Sequence, residues 1–259
     1  QRLPHMRELL CYKNAGKEKA VLQKYIAIAG ADMPADALAD LEKLDVISEA
    51  VVLRPDTDIT SPICTHPDTI LCIFKGRLYC HKNYAKQNPQ IEYICSVCGL
   101  EAVPCDTERS GTYPFDVSFN ALCDVENRFL IARKASVCEP LKEMCLDTKQ
   151  GYAACCAVFV GDTVVSADPS IIKTARAAGL PYRSVNGEGI KLRGYGKGFI
   201  GGCTGTVTSA DGTPTVLTVG DPASCPAGRE LYDICKGSGV RLVPLGSGPL
   251  TDVGGIKTV

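Results

Sequence analysis

No tryptophan occurs in this 259-residue chain, and aromatic residues make up only 6% of it. Its core must therefore be built from aliphatic and cysteine side chains. Charge of one sign is missing as well: 28 Lys and Arg stand against 29 Asp and Glu, a formal net charge of -1. Without a block of like charges, the sequence shows no footprint for nucleic acid or an anionic membrane. No apolar run nears the roughly 18 residues of a transmembrane helix. The opening Gln1-Arg2-Leu3-Pro4-His5-Met6 lacks the apolar region of a signal peptide. These absences lead to an expectation of a cytoplasmic protein with neither a nucleic-acid nor a membrane partner.

Cysteine, by contrast, is abundant, with 15 in the chain. Disulfide scaffolds are usually short, loop-rich and even in cysteine number. This chain is long and its count odd. Cys72 lies in ILCIF, Cys123 in FNALC, and Cys155 and Cys156 in AACCAVFV. Thiols in such runs behave as small buried hydrophobes, so reduced cysteines in a reducing compartment are expected.

A repeat organises the rest. From Cys155, CCAVFV reads as a strand, Gly161-Asp162 as a turn and TVVSA as a second strand. Asp168-Pro169 starts a helix, SIIKTARAA continues it, Gly179 stops it, and Pro181–Val185 is a third strand. The same order recurs in CTGTVTS–PTVLTV–ELYDICK–VRLVPL and in DTILCIF–RLYCH–NPQIEYICSVC–LEAVPC. VSFNALC–RFLIA–CEPLKEMC is a looser copy. Near the N-terminus, YIAIAGADMP, PADALADLEKL and AVVLR lack only a first strand, which Asp252–Val259 supplies if it lies beside Tyr25–Ala29. The expectation is a five-fold α/β propeller of β-β-α-β modules over residues 25–259, closed by the C-terminal strand, with residues 1–24 as an extension carrying the helix-like MRELLCYK.

Several segments, THPDTILC, YPFDVSFNALC, QGYAACCAV, GYGKGFIGGCTG and GPLTDVGGI, resemble an uncharacterised bacterial family of the pentein fold. That fold is shared by guanidino-group-modifying enzymes and a ribosome-associated factor. The resemblance implies a site at the starts of the first strands, around a central pore. His66, Asp68, Asp116, Asn120, Cys155, Cys203, Thr204 and Asp252 would converge there. Carboxylates suit a guanidinium because they form paired charged hydrogen bonds with it. Hydrolases and amidinotransferases of that fold attack the guanidino carbon with a cysteine near the C-terminus, yet this chain has none after Cys235, and Thr251 or Asp252 falls in its place.

Cys203, His66 and Asp252 are then the candidate catalytic residues, and Asp68, Asp116, Asn120, Cys155 and Thr204 the candidate ligand-binding ones. Five of them also have a bland reading. Gly201-Gly202-Cys203 could serve tight packing, Cys155 could fill the core, Asp116 and Asn120 could cap strand ends, and His66 could make a structural bond. Cys95-x-x-Cys98, with Cys80-His81 nearby in sequence, ends a predicted helix and does not form paired zinc knuckles. GEGIKLRGYGKG lacks the GK[ST] ending of a phosphate loop and reads as a mobile loop beside the pore. No metal or cofactor is implied. The expected partner is a small guanidino or amino-acid-like molecule, with hydrolase or amidinotransferase chemistry if there is turnover. A non-enzymatic scaffold is the alternative.

Overall fold

The computed structural model describes residues 24–59 and 62–259. Apart from Lys24, the expected N-terminal extension lies outside the described residues.

Asp168 accepts hydrogen bonds from Ser170 N and Ile171 N, and Pro169 follows at the first helical position, so the Pro169–Ala177 helix starts where the sequence signals it. Gly99, at φ 65°, ends the Pro89–Cys98 helix in the left-handed region that a β-carbon disfavours. Hairpin turns fall at Lys75-Gly76 and Gly161-Asp162, between Leu71–Phe74 and Arg77–His81 and between Ala157–Val160 and Thr163–Ser166. Lys257–Thr258 pairs antiparallel with Tyr25–Gly30, with Ala27 opposite Thr258 and Ile28 opposite Lys257.

These strands do not build the expected propeller. Among the described residues the fold is mixed α/β, with eight α-helices and seventeen strands in six small separate sheets, and no propeller or barrel closes. Five sheets have three strands, each joined by one antiparallel and one parallel pairing. Two local features break the regularity that the repeat suggests. The looser copy yields only Leu122–Cys123, Leu130–Ala132 and Leu146–Asp147, too little strand for a full blade. The glycine-rich segment expected to be a mobile loop contains Lys191–Leu192, which pairs parallel with Thr251–Asp252 as a sixth sheet that the repeat does not contain.

The sheets are held by apolar clusters between them. Val158, Val165, Val216 and Leu231 belong to one, and Tyr79, Phe119 and Leu130 to another. Every cysteine among the described residues is a free thiol, and many are buried in these clusters. Cys95 and Cys98 lie on the last turn of their helix, Cys95 packing with Ile91 and Ile94. Among the described residues, no group of three or more His, Cys, Asp or Glu is placed to hold a metal ion, and no helix is long and apolar enough to cross a membrane.

One buried ion pair fastens the connection after Glu101–Cys105. Arg109 Nη2 lies 2.7 Å from Asp56 Oδ2, with the two side chains 1% and 3% exposed. The guanidinium also donates to the Thr69 carbonyl at 3.0 Å and lies over the Phe119 ring. Removing one partner of such a pair leaves the other charge uncompensated in the interior. Arg109→Ala is therefore expected to lower stability by roughly 3–5 kcal/mol in urea unfolding. A loss near that of an exposed pair would show that Asp56 finds another partner.

Candidate ligand site

The site begins with two short helical turns. The sequence places the candidate residues at strand starts, but Asp68 lies within the Pro67–Ile70 helix and Cys155 within Ala153–Cys156, each just ahead of its strand. Pro67 at the first helical position sets the former, and its N-cap His66 is extended at φ -74°, ψ 117°. A one-turn helix aims consecutive side chains in different directions. His66 and Asp68 consequently reach different partners.

His66 sits between two carboxylates. Its Nε2 is 3.7 Å from Asp32 Oδ2, and its Nδ1 is 3.9 Å from Asp252 Oδ1. Both separations exceed hydrogen-bond length, so the attraction is electrostatic. Asp252 accepts backbone N–H bonds from Phe199 at 2.9 Å and Gly254 at 3.1 Å. Asp68 is tied to the same turn through its own N–H, which donates to the Gly254 carbonyl at 3.1 Å.

Asp68 leads on to the second helical turn. Cys155 Sγ donates to Asp68 Oδ2 at 2.7 Å and accepts from Asn120 Nδ2 at 3.2 Å. Asn120 Oδ1 in turn accepts from Ala154 N at 2.7 Å and Cys155 N at 3.3 Å. Tyr152, just before this turn, donates its hydroxyl to Asp116. Tyr113 stacks on Tyr152 with ring centroids 5.8 Å apart, and the Arg133 guanidinium lies over Tyr113. Tyr113 and Phe115 are both exposed and shortly precede Asp116 in sequence.

The glycines make this closeness possible. A β-carbon on Gly202 would stand 2.0 Å from Asp252 Oδ1, and one on Gly254 would stand 2.3 Å from His66 Cβ. Gly201 is packed against the carbonyls of Ala154 and Ala157. These glycines bring chain segments together, which is the packing reading of Gly201-Gly202.

The structure therefore gathers His66, Asp68, Asn120, Cys155 and Asp252 into one contact chain, with Asp116 joined through Tyr152. The other two candidates are not bonded into this chain. Cys203, 0% exposed, is in an apolar cluster with Val158, Ile200 and Val216, and its thiol donates to the Ile200 carbonyl at 3.1 Å. Thr204 donates to the Gly201 carbonyl and lines a cavity of about 330 Å³.

Sequence reasoning missed Asp32 and Tyr152. Asp32 in ADMP looks like a helix cap, but the cap position of the Ala35–Glu42 helix is Pro34, which makes no side-chain capping bond. At Asp168-Pro169 and Asp221-Pro222, where the acid does cap, it directly precedes the proline. That one-residue offset is the signal that Asp32 was free for another task.

Burial and mutual repulsion shape the protonation of this group. Burial works against a charged His66, but Asp32, Asp68 and Asp252 outweigh it and raise the imidazole above its usual value. Burial, then the neighbouring Asp68, pushes Asp252 up to about 6. Asp68 is raised by burial despite the opposing Lys257 and His66 charges. The Cys155 thiol is pushed well up, first by burial and then by the Asp68 carboxylate, and Cys203 likewise by burial and Asp252. Neither sulfur is favoured as a thiolate nucleophile.

Four buried polar atoms in and beside this group have no hydrogen-bond partner: Asp32 Oδ1, His66 Nε2, Asp68 Oδ1 and Asp116 Oδ1. Three are carboxylate oxygens, so the arrangement can accept hydrogen bonds from a cation and hold or release a proton at His66. Fold and site together define a mixed α/β protein with a buried carboxylate–imidazole centre. Residues 29–257 match DUF6873, a family of unknown function, and the chain belongs to that family. No curated protein matches it.

The raised groups fix the sign of the pH dependence. For an acid raised from 3.8 to about 6, the stabilising contribution is complete below 3.8 and is lost as pH rises through about 6. His66, also raised, contributes below about 6.5 and loses that contribution as pH rises through its folded-state value. Stability should thus fall from about pH 4 to 7, with Asp252 responsible for on the order of 3 kcal/mol. Urea unfolding of Asp252→Asn across that range should show a flatter profile. An unchanged slope would remove Asp252 from the cause.

Proposed function

We propose that the protein binds a small cationic molecule of the guanidino or amino-acid class at the His66–Asp68–Asp252 cluster, with Asp116 and its aromatic neighbours beside it. The observation that carries this reading is the set of unpartnered buried oxygens on Asp32, Asp68 and Asp116. Buried acceptors without partners are costly and are ordinarily satisfied by a ligand, an ion or ordered water. A planar cation with several N–H donors can satisfy more than one such oxygen. Beside Asp116, the Arg133 guanidinium already lies over the Tyr113 ring, so this aromatic pair accommodates a guanidinium.

Thiol attack is not part of the proposal, since Cys155 and Cys203 are held protonated. His66 is the group placed to exchange a proton with the ligand. Free thiols throughout the described residues support a reducing, cytoplasmic setting.

Thermal-shift and calorimetric titration with arginine, agmatine and related guanidino compounds should give saturable binding that raises Tm. Asp68→Asn and Asp116→Asn are each expected to weaken it about 10- to 100-fold, in line with the loss of a charged hydrogen bond. Cys203→Ala should leave affinity unchanged. No saturable ligand in that class, or full affinity in Asp68→Asn, would sink the proposal.

A further inference from the structure

The cavity of about 330 Å³ that Thr204 lines contains a feature independent of the His66 cluster. Its wall is built where the edge strands Leu71–Phe74, Leu122–Cys123, Ala157–Val160, Thr204–Thr208 and Lys257–Thr258 approach one another. Cys72 and Cys123 both belong to this wall, each on the edge strand of a different sheet. Their Sγ atoms are 3.8 Å apart.

A disulfide needs about 2.05 Å between the sulfurs, so the two must approach by roughly 1.8 Å. Side-chain rotation can supply that movement where the neighbouring space is empty. Both cysteines line the cavity, Cys123 half-buried and Cys72 at 2% exposure. The shared hydrogen bond with Cys123 and then burial hold the Cys72 thiol well up, while the Lys257 ammonium in the same wall pulls the other way. Another thiol pair, Cys105 and Cys138, also interacts, but both sulfurs are buried in the core beside Phe119 and Leu130.

We propose that Cys72 and Cys123 are an oxidisable dithiol whose disulfide ties two neighbouring sheets together across the cavity. With a hydroperoxide as oxidant, the Cys123 sulfur attacks the terminal peroxide oxygen, the O–O bond breaks, and water or an alcohol leaves. The resulting sulfenic acid is attacked by the Cys72 sulfur, which forms the S–S bond and expels a second oxygen as water. The thiols lose two electrons and two protons, and the hydroperoxide is reduced. A thiol reductant reverses the change.

The full chain treated with a small excess of hydrogen peroxide, alkylated and mapped without reduction, tests this directly. The expected product is a Cys72–Cys123 linked peptide, lighter than its two halves by about 2 Da. Closing a loop between residues 51 apart should also raise Tm by several degrees. In Cys72→Ser, Cys123 should accumulate as a dimedone-reactive sulfenic acid; in Cys123→Ser, Cys72 should stay reduced. If Cys105 and Cys138 link first, or if Cys72 and Cys123 remain fully alkylable while other thiols oxidise, the proposal is overturned.

Discussion

Three carboxylates and one imidazole share a small space around His66, almost wholly out of water. Taking a carboxylate from water costs several kcal/mol after relaxation, and nearby like charges add to that. The chain offsets part of the cost with Phe199 and Gly254 N–H groups on Asp252 and the Cys155 thiol on Asp68. Gly202 and Gly254 are needed because any side chain there would collide with Asp252 or His66. The strand containing Thr251–Asp252 is held from the other side by Lys191–Leu192, so the extra sheet positions the acid. What is left over is four buried polar atoms without partners, on Asp32, His66, Asp68 and Asp116.

The local structure was legible where a single residue dictates a backbone shape. Asp168-Pro169, Gly99 and the two-residue turns act through capping, positive φ and hairpin geometry, which need no distant partner. Global arrangement was not legible in the same way. The repeat predicts a closed propeller, but whether edge strands join is decided by pairing between segments far apart in sequence. The short Leu122–Cys123 and Leu146–Asp147 strands and the Lys191–Leu192 pairing depend on that wider context.

The site shows the same division. His66, Asp68, Asn120, Cys155 and Asp252 could be named from their positions in the repeat, although they occupy helical turns as well as strands. Asp32 was hidden by its resemblance to a helix cap, and Tyr152 by an ordinary apolar neighbourhood. Cys203 followed two glycines that suggested space for a ligand. That space is filled by the Ala154 and Ala157 carbonyls and by Asp252, so the sulfur faces the core. Polar side chains gather at His66, with the Cys155 thiol among them, and the Cys72–Cys123 pair lines the cavity beside Thr204.

The protonation of His66 tests the balance on which this account rests. The chain has only three histidines, so their imidazole resonances can be followed by NMR during a pH titration and assigned with His66→Gln. If the surrounding carboxylates outweigh burial, His66 titrates above about 6.5 and shifts downward when a guanidino ligand occupies the cluster. A His66 that titrates below that value, and does not respond to such ligands, would contradict both the electrostatics and the cation site built on it.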